Sequence, residues 1–189
     1  MIVPIILAAG ESSRMGMLKP LVEINGETFL QRLIKILRSS KAGKITVVLG
    51  NRAEEIAEHI DLSDCTIVIN PEYKNGQLSS LRKAILSIPE EGVDGILVCL
   101  VDHPYISADL VDQLIDAFYA SKKEIVVPVY NKKRGHPVIF SYKMFSHILA
   151  ASLEVGAREV LWNNPDKVLE LNVNEPGVLK DIDYPEDIE

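Results

Sequence analysis

Arg14 and Lys19 share a loop with Ala8, Ala9, Gly10, Ser12 and Ser13, and these side chains suit one kind of ligand, an anion of several charges. The small residues leave the backbone open to close approach. Successive free N–H groups in such a loop form an anion-binding concavity. Ser12 and Ser13 add hydroxyl donors, Arg14 a planar fork and Lys19 a compact ammonium. Together they describe a polyphosphate cradle. Two better-known phosphate loops are excluded, because the stretch has neither the G-x-x-x-x-G-K-[ST] nor the G-x-G-x-x-G pattern. A plain solvated loop is the alternative. Met15, Leu18 and Leu21 speak against it, since apolar residues draw a loop onto a core.

Other stretches carry residues able to do chemistry. Asp102 follows the apolar run Gly95 to Val101, and the next helix is expected only at Ser107, so the carboxylate is not needed as a cap. A carboxylate beside phosphates is the usual protein share of a magnesium site, the rest being water and phosphate oxygens. The turn-rich stretch Asn70 to Ser80 leads into a helix, with Ser79 or Ser80 able to cap its first amides. A helix start facing a ligand also suits an anion or a base edge. Asp183 and Glu186 have the spacing of a capping box before a terminal turn. His136, taken alone, suits a structural histidine donating to a carbonyl.

The elements that must position these residues follow from periodicity. Ile2 to Leu7, Lys44 to Leu49, Thr66 to Ile69, Gly95 to Val101 and Glu124 to Val129 are β-rich apolar runs. Between them, Thr28 to Arg38, Ala53 to Ile60, Leu78 to Ile88 and a helix from Ser107 through Phe118 carry helical spacing. This alternation predicts an α/β protein with a mostly parallel sheet and Gly95 to Val101 at its centre. After residue 130 the pattern changes to short strands and helices: Pro137 to Phe140, Tyr142 to Ala150, Ala157 to Trp162 and Val168 to Val173. This part is expected to include an antiparallel element and to lie over the C-terminal edge of the sheet. Open α/β sheets bind ligands at the carboxyl ends of their strands. That rule gathers the loops after Leu7, Ile69 and Val101 into one place. No boundary divides the chain, so residues 1–189 are expected to form one domain.

The formal net charge of −7 argues against nucleic acid or an anionic membrane as partner. Cys65 and Cys99 lack metal-ligand spacing and suit small core positions. The apolar start lacks a basic segment and is too short for a signal peptide, and no run has the length of a membrane span. A cytosolic location is expected.

The pattern L-A-A-G-x-S-x-R-M-G-x-x-K, from Leu7 to Lys19, resembles the signature of nucleotidyltransferases that join a nucleoside monophosphate to a phosphorylated acceptor. Within them it is most similar to the branch acting on the molybdenum cofactor, the molybdopterin cytidylyltransferases. N-P-x-Y-x-x-G-Q-L-S-S-L resembles their base- and ribose-recognising stretch, which implies nucleotide contacts from Asn70, Gly76, Ser79 and Ser80. The L-V-D-His103-Pro104 stretch resembles their L-x-D-Q-P, with Asp102 at the metal position and His103 in place of glutamine. Arg134-Gly135-His136-Pro137 resembles the R-G-H-P that opens their acceptor lobe. Gly156-Ala157-Arg158 resembles the end of G-D-x-G-A-R, preceded here by Leu153 and Glu154. Asp183 matches the first residue of D-T-P-E-D, which reaches the metal in related enzymes.

The resemblance implies a three-layer α/β sandwich with a Rossmann-like sheet, as in nucleotide-diphospho-sugar transferases. It implies Mg²⁺ dependence, with Arg14, Lys19 and Asp102 as catalytic residues and Asp102 and Asp183 on the metal. Leu7, Ala8, Ala9, Gly10, Ser12 and Ser13 would hold the nucleotide, and Arg134, His136 and Arg158 the acceptor. CTP is the implied donor, because guanylyl-transferring relatives typically carry a second glycine where this chain has Ala9. A molybdopterin-type phosphate is the implied acceptor, and contact with a molybdoenzyme or its chaperone the implied protein partnership. Two alternatives stand beside this reading. Lys19-Pro20-Leu21 is similar to the K-P-L of sugar-1-phosphate nucleotidyltransferases, and a non-catalytic nucleotide- or cofactor-binding protein would need many of the same residues.

Overall fold

The structure is a computed structural model that describes residues 1–89 and 91–188. Its strands are β1 (Ile2–Leu7), the short β2 (Glu23–Ile24) and β3 (Glu27–Thr28), β4 (Thr46–Leu49) and β5 (Thr66–Ile69). They continue with β6 (Gly95–Leu100), β7 (Ile125–Tyr130), β8 (Lys133–Arg134), β9 (Val138–Ser141) and β10 (Val168–Asn172). The helices are α1 (Phe29–Arg38), α2 (Ala53–His59), α3 (Gln77–Ser87), α4 (Ala108–Ala120), α5 (Phe145–Ala150) and α6 (Arg158–Asn163).

Among the described residues, eight strands form one sheet in the order β10-β7-β9-β6-β1-β4-β5, with β8 on β7 alone. The pairs β1–β4, β4–β5, β1–β6 and β7–β10 are parallel. The register sets Leu7 opposite both Val48 and Leu100. The loops after β1 and β6 therefore leave the sheet side by side.

Alternation along the strands splits the core in two. Ile6, Val47, Leu97 and Cys99 face α1, α2 and α4, while Ile5, Val48, Val98 and Leu100 face α3, α5 and α6. The result is a three-layer α/β sandwich. Helix α1 begins at a capping box, Thr28 accepting from the Gln31 N–H at 3.2 Å and Gln31 Oε1 accepting from the Thr28 N–H at 3.0 Å. Its residues Phe29, Leu30, Leu33, Ile34 and Leu37 are all buried, as their spacing predicts. Ser107 caps α4 by accepting from the Leu110 N–H at 3.1 Å. No helix of the described residues is long and apolar enough to cross a membrane.

The antiparallel element expected after residue 130 is present as β9. Strand β9 sits inside the sheet, antiparallel to both β6 and β7. Val138, Ile139 and Phe140 are apolar on both faces and almost fully buried, so only an interior position covers them. The segment from 174 to 183 crosses the C-terminal edge, as expected of this part of the chain. Val178 and Ile182 are fully buried there. The His136 N–H donates to the Val178 carbonyl at 2.8 Å, and the Ile182 N–H to the Asp102 carbonyl at 2.9 Å. Gly135 and Gly177 make this strap fit, since a side chain at either would collide with the backbone of Val178 or Tyr105.

Candidate active site

The loop after β1 is a built structure. Ser12 adopts a φ of 54°, and its hydroxyl oxygen accepts from the Lys19 N–H at 2.9 Å. Met15 and Leu18 are buried and pin the loop to the core. A 3-10 turn over Lys19–Leu21 follows, with Pro20 setting its backbone. A Cβ built on Gly10 would meet no atom within 4 Å, so the space beside it belongs to the cleft.

The Lys19 side chain runs inward between two carboxylates. Its Nζ donates to Asp102 Oδ2 at 2.9 Å and to Asp183 Oδ1 at 2.6 Å. Arg14 Nη1 donates to Asp183 Oδ2 at 2.7 Å. His103 Nδ1 lies 3.0 Å from Asp102 Oδ1. An ionised carboxylate only accepts, so this ring nitrogen carries the proton. Burial pushes the Asp102 pKa up, but the His103 hydrogen bond and the Lys19 charge outweigh it and hold the group at about 2. Burial likewise opposes the Lys19 charge, and its two carboxylate partners raise its pKa above the ordinary value. Asp183 is held below the usual carboxylate range, first by the Lys19 hydrogen bond, with Arg14 adding to it.

Asp183 corrects one expectation. It does not form a capping box with Glu186. The terminal turn Pro185–Asp187 is instead closed by Asp187, whose Oδ2 accepts from the N–H groups of Asp183 at 3.0 Å and Tyr184 at 2.8 Å. That leaves the Asp183 carboxylate to the two cations.

These groups border a cleft of about 320 Å³, walled by Leu7, Ala8, Ala9, Gly10, Ser12, Ser13, Arg14 and Lys19 and by Gly76, Ser80, Asp102 and Asp183. Asn70 and Ser79 stand behind the wall. Asn70 is 1% exposed, and its Nδ2 donates to the hydroxyls of Ser79 and Ser80, both at 2.9 Å. Its amide is occupied inside the protein, so it sets the shape of the loop without reaching the cleft. Tyr73 and Gln77 do border the cleft, and the sequence reading passed over them. Tyr73 is the aromatic of N-P-x-Y, and Gln77 is the first residue of α3; both were visible as positions.

A second cleft, of about 550 Å³, adjoins the first and shares Leu7 and Gln77 with it. Arg134, His136 and Arg158 all line it. Arg134 is paired with Glu170 Oε1 at 2.7 Å. Arg158 Nε donates to the Val155 carbonyl at 2.7 Å, and its guanidinium lies 5.5 Å from the ring centre of Trp162. Trp162, four residues on from Arg158 on the short α6, is a further lining residue not singled out from sequence. Burial, and after it the neighbouring His103, lowers the His136 pKa to about 4, so its ring is neutral at pH 7. The cleft floor is mostly aliphatic, from Leu81, Val98, Val127 and Val138.

Asp102 and Asp183 are the groups able to hold a divalent metal. Among the described residues no three His, Cys, Asp or Glu side chains cluster as a complete cage. Two carboxylates suit a magnesium-like ion that takes its other ligands from water and phosphate.

The MobA-like NTP transferase domain matches residues 4–168. The chain is 27% identical to the molybdenum cofactor cytidylyltransferase of Escherichia coli K12, over 97% of this chain and 91% of that one. It is 25% identical to a probable molybdenum cofactor guanylyltransferase of Thermococcus sibiricus, over 80% of this chain and 74% of that one. The solved structure of Rv0371c from Mycobacterium tuberculosis H37Rv superposes with a TM-score of 0.85 at 27% identity, covering 99% of this chain and 95% of that one. Rv0371c was also solved in complex with manganese, with a TM-score of 0.81 at 26% identity, covering 98% of this chain and 95% of that one. With a domain match that spans most of its length, the chain belongs to the MobA-like NTP transferase family and is a nucleotidyltransferase.

Proposed function

We propose that residues 1–189, acting as one domain, transfer CMP from CTP to the terminal phosphate of a molybdopterin-type acceptor and release pyrophosphate. The observation that carries this reading is the adjacency of the two clefts through Leu7 and Gln77. One is walled by small residues and cations, the other by Arg134, His136 and Arg158. A donor in the first and an acceptor in the second would meet at their shared wall. Leu7, Ala8, Ala9, Gly10, Ser12 and Ser13 would cradle the triphosphate through backbone and hydroxyl donors. Gly76, Ser80, Tyr73 and Gln77 would face the nucleoside, with Asn70 and Ser79 holding that loop in shape.

The attacking phosphate is already anionic, so no general base and no covalent intermediate is needed. Catalysis is then positioning and charge neutralisation. Arg14 and Lys19 supply positive charge at the phosphates. Asp102 and Asp183 would hold a divalent ion, Mg²⁺ in this reading, which supplies Lewis-acid charge to the transferring phosphate when bound. His103 supports this set by fixing the orientation of Asp102.

The test is pyrophosphate release from each nucleoside triphosphate with Mg²⁺ and a panel of phosphorylated acceptors. Release with CTP and a molybdopterin acceptor is expected. Turnover only with a sugar 1-phosphate would move the acceptor to that branch, and silence across the panel would sink the reading.

A further inference from the structure

All four oxygens of the two would-be metal carboxylates already have a partner. Asp102 Oδ2 accepts from Lys19 at 2.9 Å, and Oδ1 from His103 at 3.0 Å. Asp183 Oδ1 accepts from Lys19 at 2.6 Å, and Oδ2 from Arg14 at 2.7 Å. Lys19 bridges both carboxylates, and its side chain is only 11% exposed. Arg14 bonds one of them and is 64% exposed. We propose that Lys19 is the resident counter-cation of the metal site, holding Asp102 and Asp183 until a nucleotide draws its ammonium onto phosphate and frees the carboxylates for the metal. This rests on the metal ligands assigned under the proposed function.

Two carboxylates, one ammonium and one guanidinium form a balanced quartet inside a half-closed cleft. A divalent ion entering alone must sit within a few ångströms of the Lys19 ammonium or displace it with no new anion to receive it, and close like charges repel strongly where water is scarce. A triphosphate entering alone gains Lys19 and Arg14 but leaves the two carboxylates facing its own negative charge. Only the two together put a cation between the carboxylates and the phosphates and an anion beside each cation. Metal and nucleotide are therefore coupled, and the coupling is reciprocal: each raises the affinity of the other by the same factor. Lys19, bridging and buried, carries more of this coupling than Arg14.

A consequence of unusual sign follows. Removing a positive charge needed for transfer must improve binding of the bare metal. The probe is Mn²⁺ alone, followed by the loss of its free electron-paramagnetic-resonance signal on the full chain, with no nucleotide or acceptor present. Lys19→Met is expected to bind Mn²⁺ about tenfold or more tighter than the wild type, and Lys19→Arg about as weakly as the wild type. Adding Asp102→Asn to Lys19→Met should abolish the gain. If circular dichroism shows Lys19→Met to be unfolded, Lys19→Gln carries the same comparison. In a second arm, a non-hydrolysable methylene analogue of CTP should raise Mn²⁺ affinity in the wild type and raise it less in the folded Lys19 variant. Equal Mn²⁺ affinity in the wild type and the neutral variant overturns the exchange. The metal arm involves neither base nor acceptor, so its failure leaves the transfer reading standing, and a failed acceptor screen leaves the exchange standing.

Discussion

His136 offers a pH test at the scale of a single ring. Its Nδ1 is buried without a hydrogen-bond partner among the described residues, and its pKa is lowered from 6.5 to about 4 by burial first and by His103 second. As pH falls, the unfolded chain takes up this proton before the folded one does. The stability tied to the neutral ring is therefore complete above about pH 6.5 and is lost as pH falls through about 4. A shift of this size corresponds to roughly 3 kcal/mol. Urea unfolding at steps from pH 7 to 4.5 should show the decline, and His136→Asn should flatten it. Identical slopes in the two proteins would remove His136 as the cause. Asp102, held at about 2, acts at lower pH and does not enter this window. Base choice is tested at Ala9, which is 4% exposed. A Cβ on Gly50 would lie 2.9 Å from the Ala9 methyl and 2.8 Å from Tyr73 Cβ, so these three positions pack as a set. Under the cytidylyl proposal the methyl would act on a base through its width and through this packing. With a steric lever of about 1–3 kcal/mol, Ala9→Gly should admit GTP only partly in a competition assay. A wild type that prefers GTP would overturn the cytidylyl proposal. The convergence of Arg14, Lys19 and Asp102 on one cleft was legible from residue type and position in the chain. The burial of Lys19 was not, because its partners Asp102 and Asp183 are 83 and 164 residues away along the sequence. Lys19→Ala therefore leaves two carboxylates facing each other without their cation, and costs stability as well as turnover.

Two glycines that look alike in sequence separate once the elements around them are known. A side chain at Gly10 meets only the open cleft, whereas one at Gly135 runs into the Val178 backbone of the strap. Gly10→Ala should leave the melting temperature unchanged and weaken nucleotide binding. Gly135→Ala should cost about 1–3 kcal/mol, as overpacking does, and lower turnover with it by shifting the strap that carries Asp183. A Gly135→Ala protein with unchanged melting temperature and turnover would show that the strap does not place Asp183. Element by element, periodicity recovered the helices and parallel strands to within a residue or two, except that α5 begins three residues late, after a 3-10 turn over Tyr142–Met144. It also found the Ser107 cap, since a cap is a local hydrogen bond. The β2–β3 hairpin has a local signal in the sequence: Asn25-Gly26, with φ of 53° and 79°, is the dipeptide that favours a two-residue turn. The place of β9 was not legible, because strand order depends on pairing between distant segments. The capping box at Asp183 misled because Asp187, at the end of the same short turn, does the capping.

At the scale of the whole molecule, both cores hang on the same strands. Ile6 on β1 and Cys99 on β6 pack into one core, while Ile5 and Val98 on the same two strands pack into the other. Neither layer of helices can leave without exposing one face of β1 and β6. The strap ties the ends together, since Ile182 donates to the Asp102 carbonyl after β6 and Val178 accepts from His136 before β9. No cut through the chain separates two self-sufficient cores, which is the physical content of the one-domain proposal. Calorimetry should therefore show one transition, with the calorimetric enthalpy equal to the van't Hoff value. Two resolved transitions would divide the chain. Ending the chain before Pro176 removes the fully buried Val178 and Ile182, a loss of about 3–6 kcal/mol of apolar burial. The truncated protein should still melt in a single step but at a lower temperature, because the strap closes one edge of a shared core and does not form a core of its own.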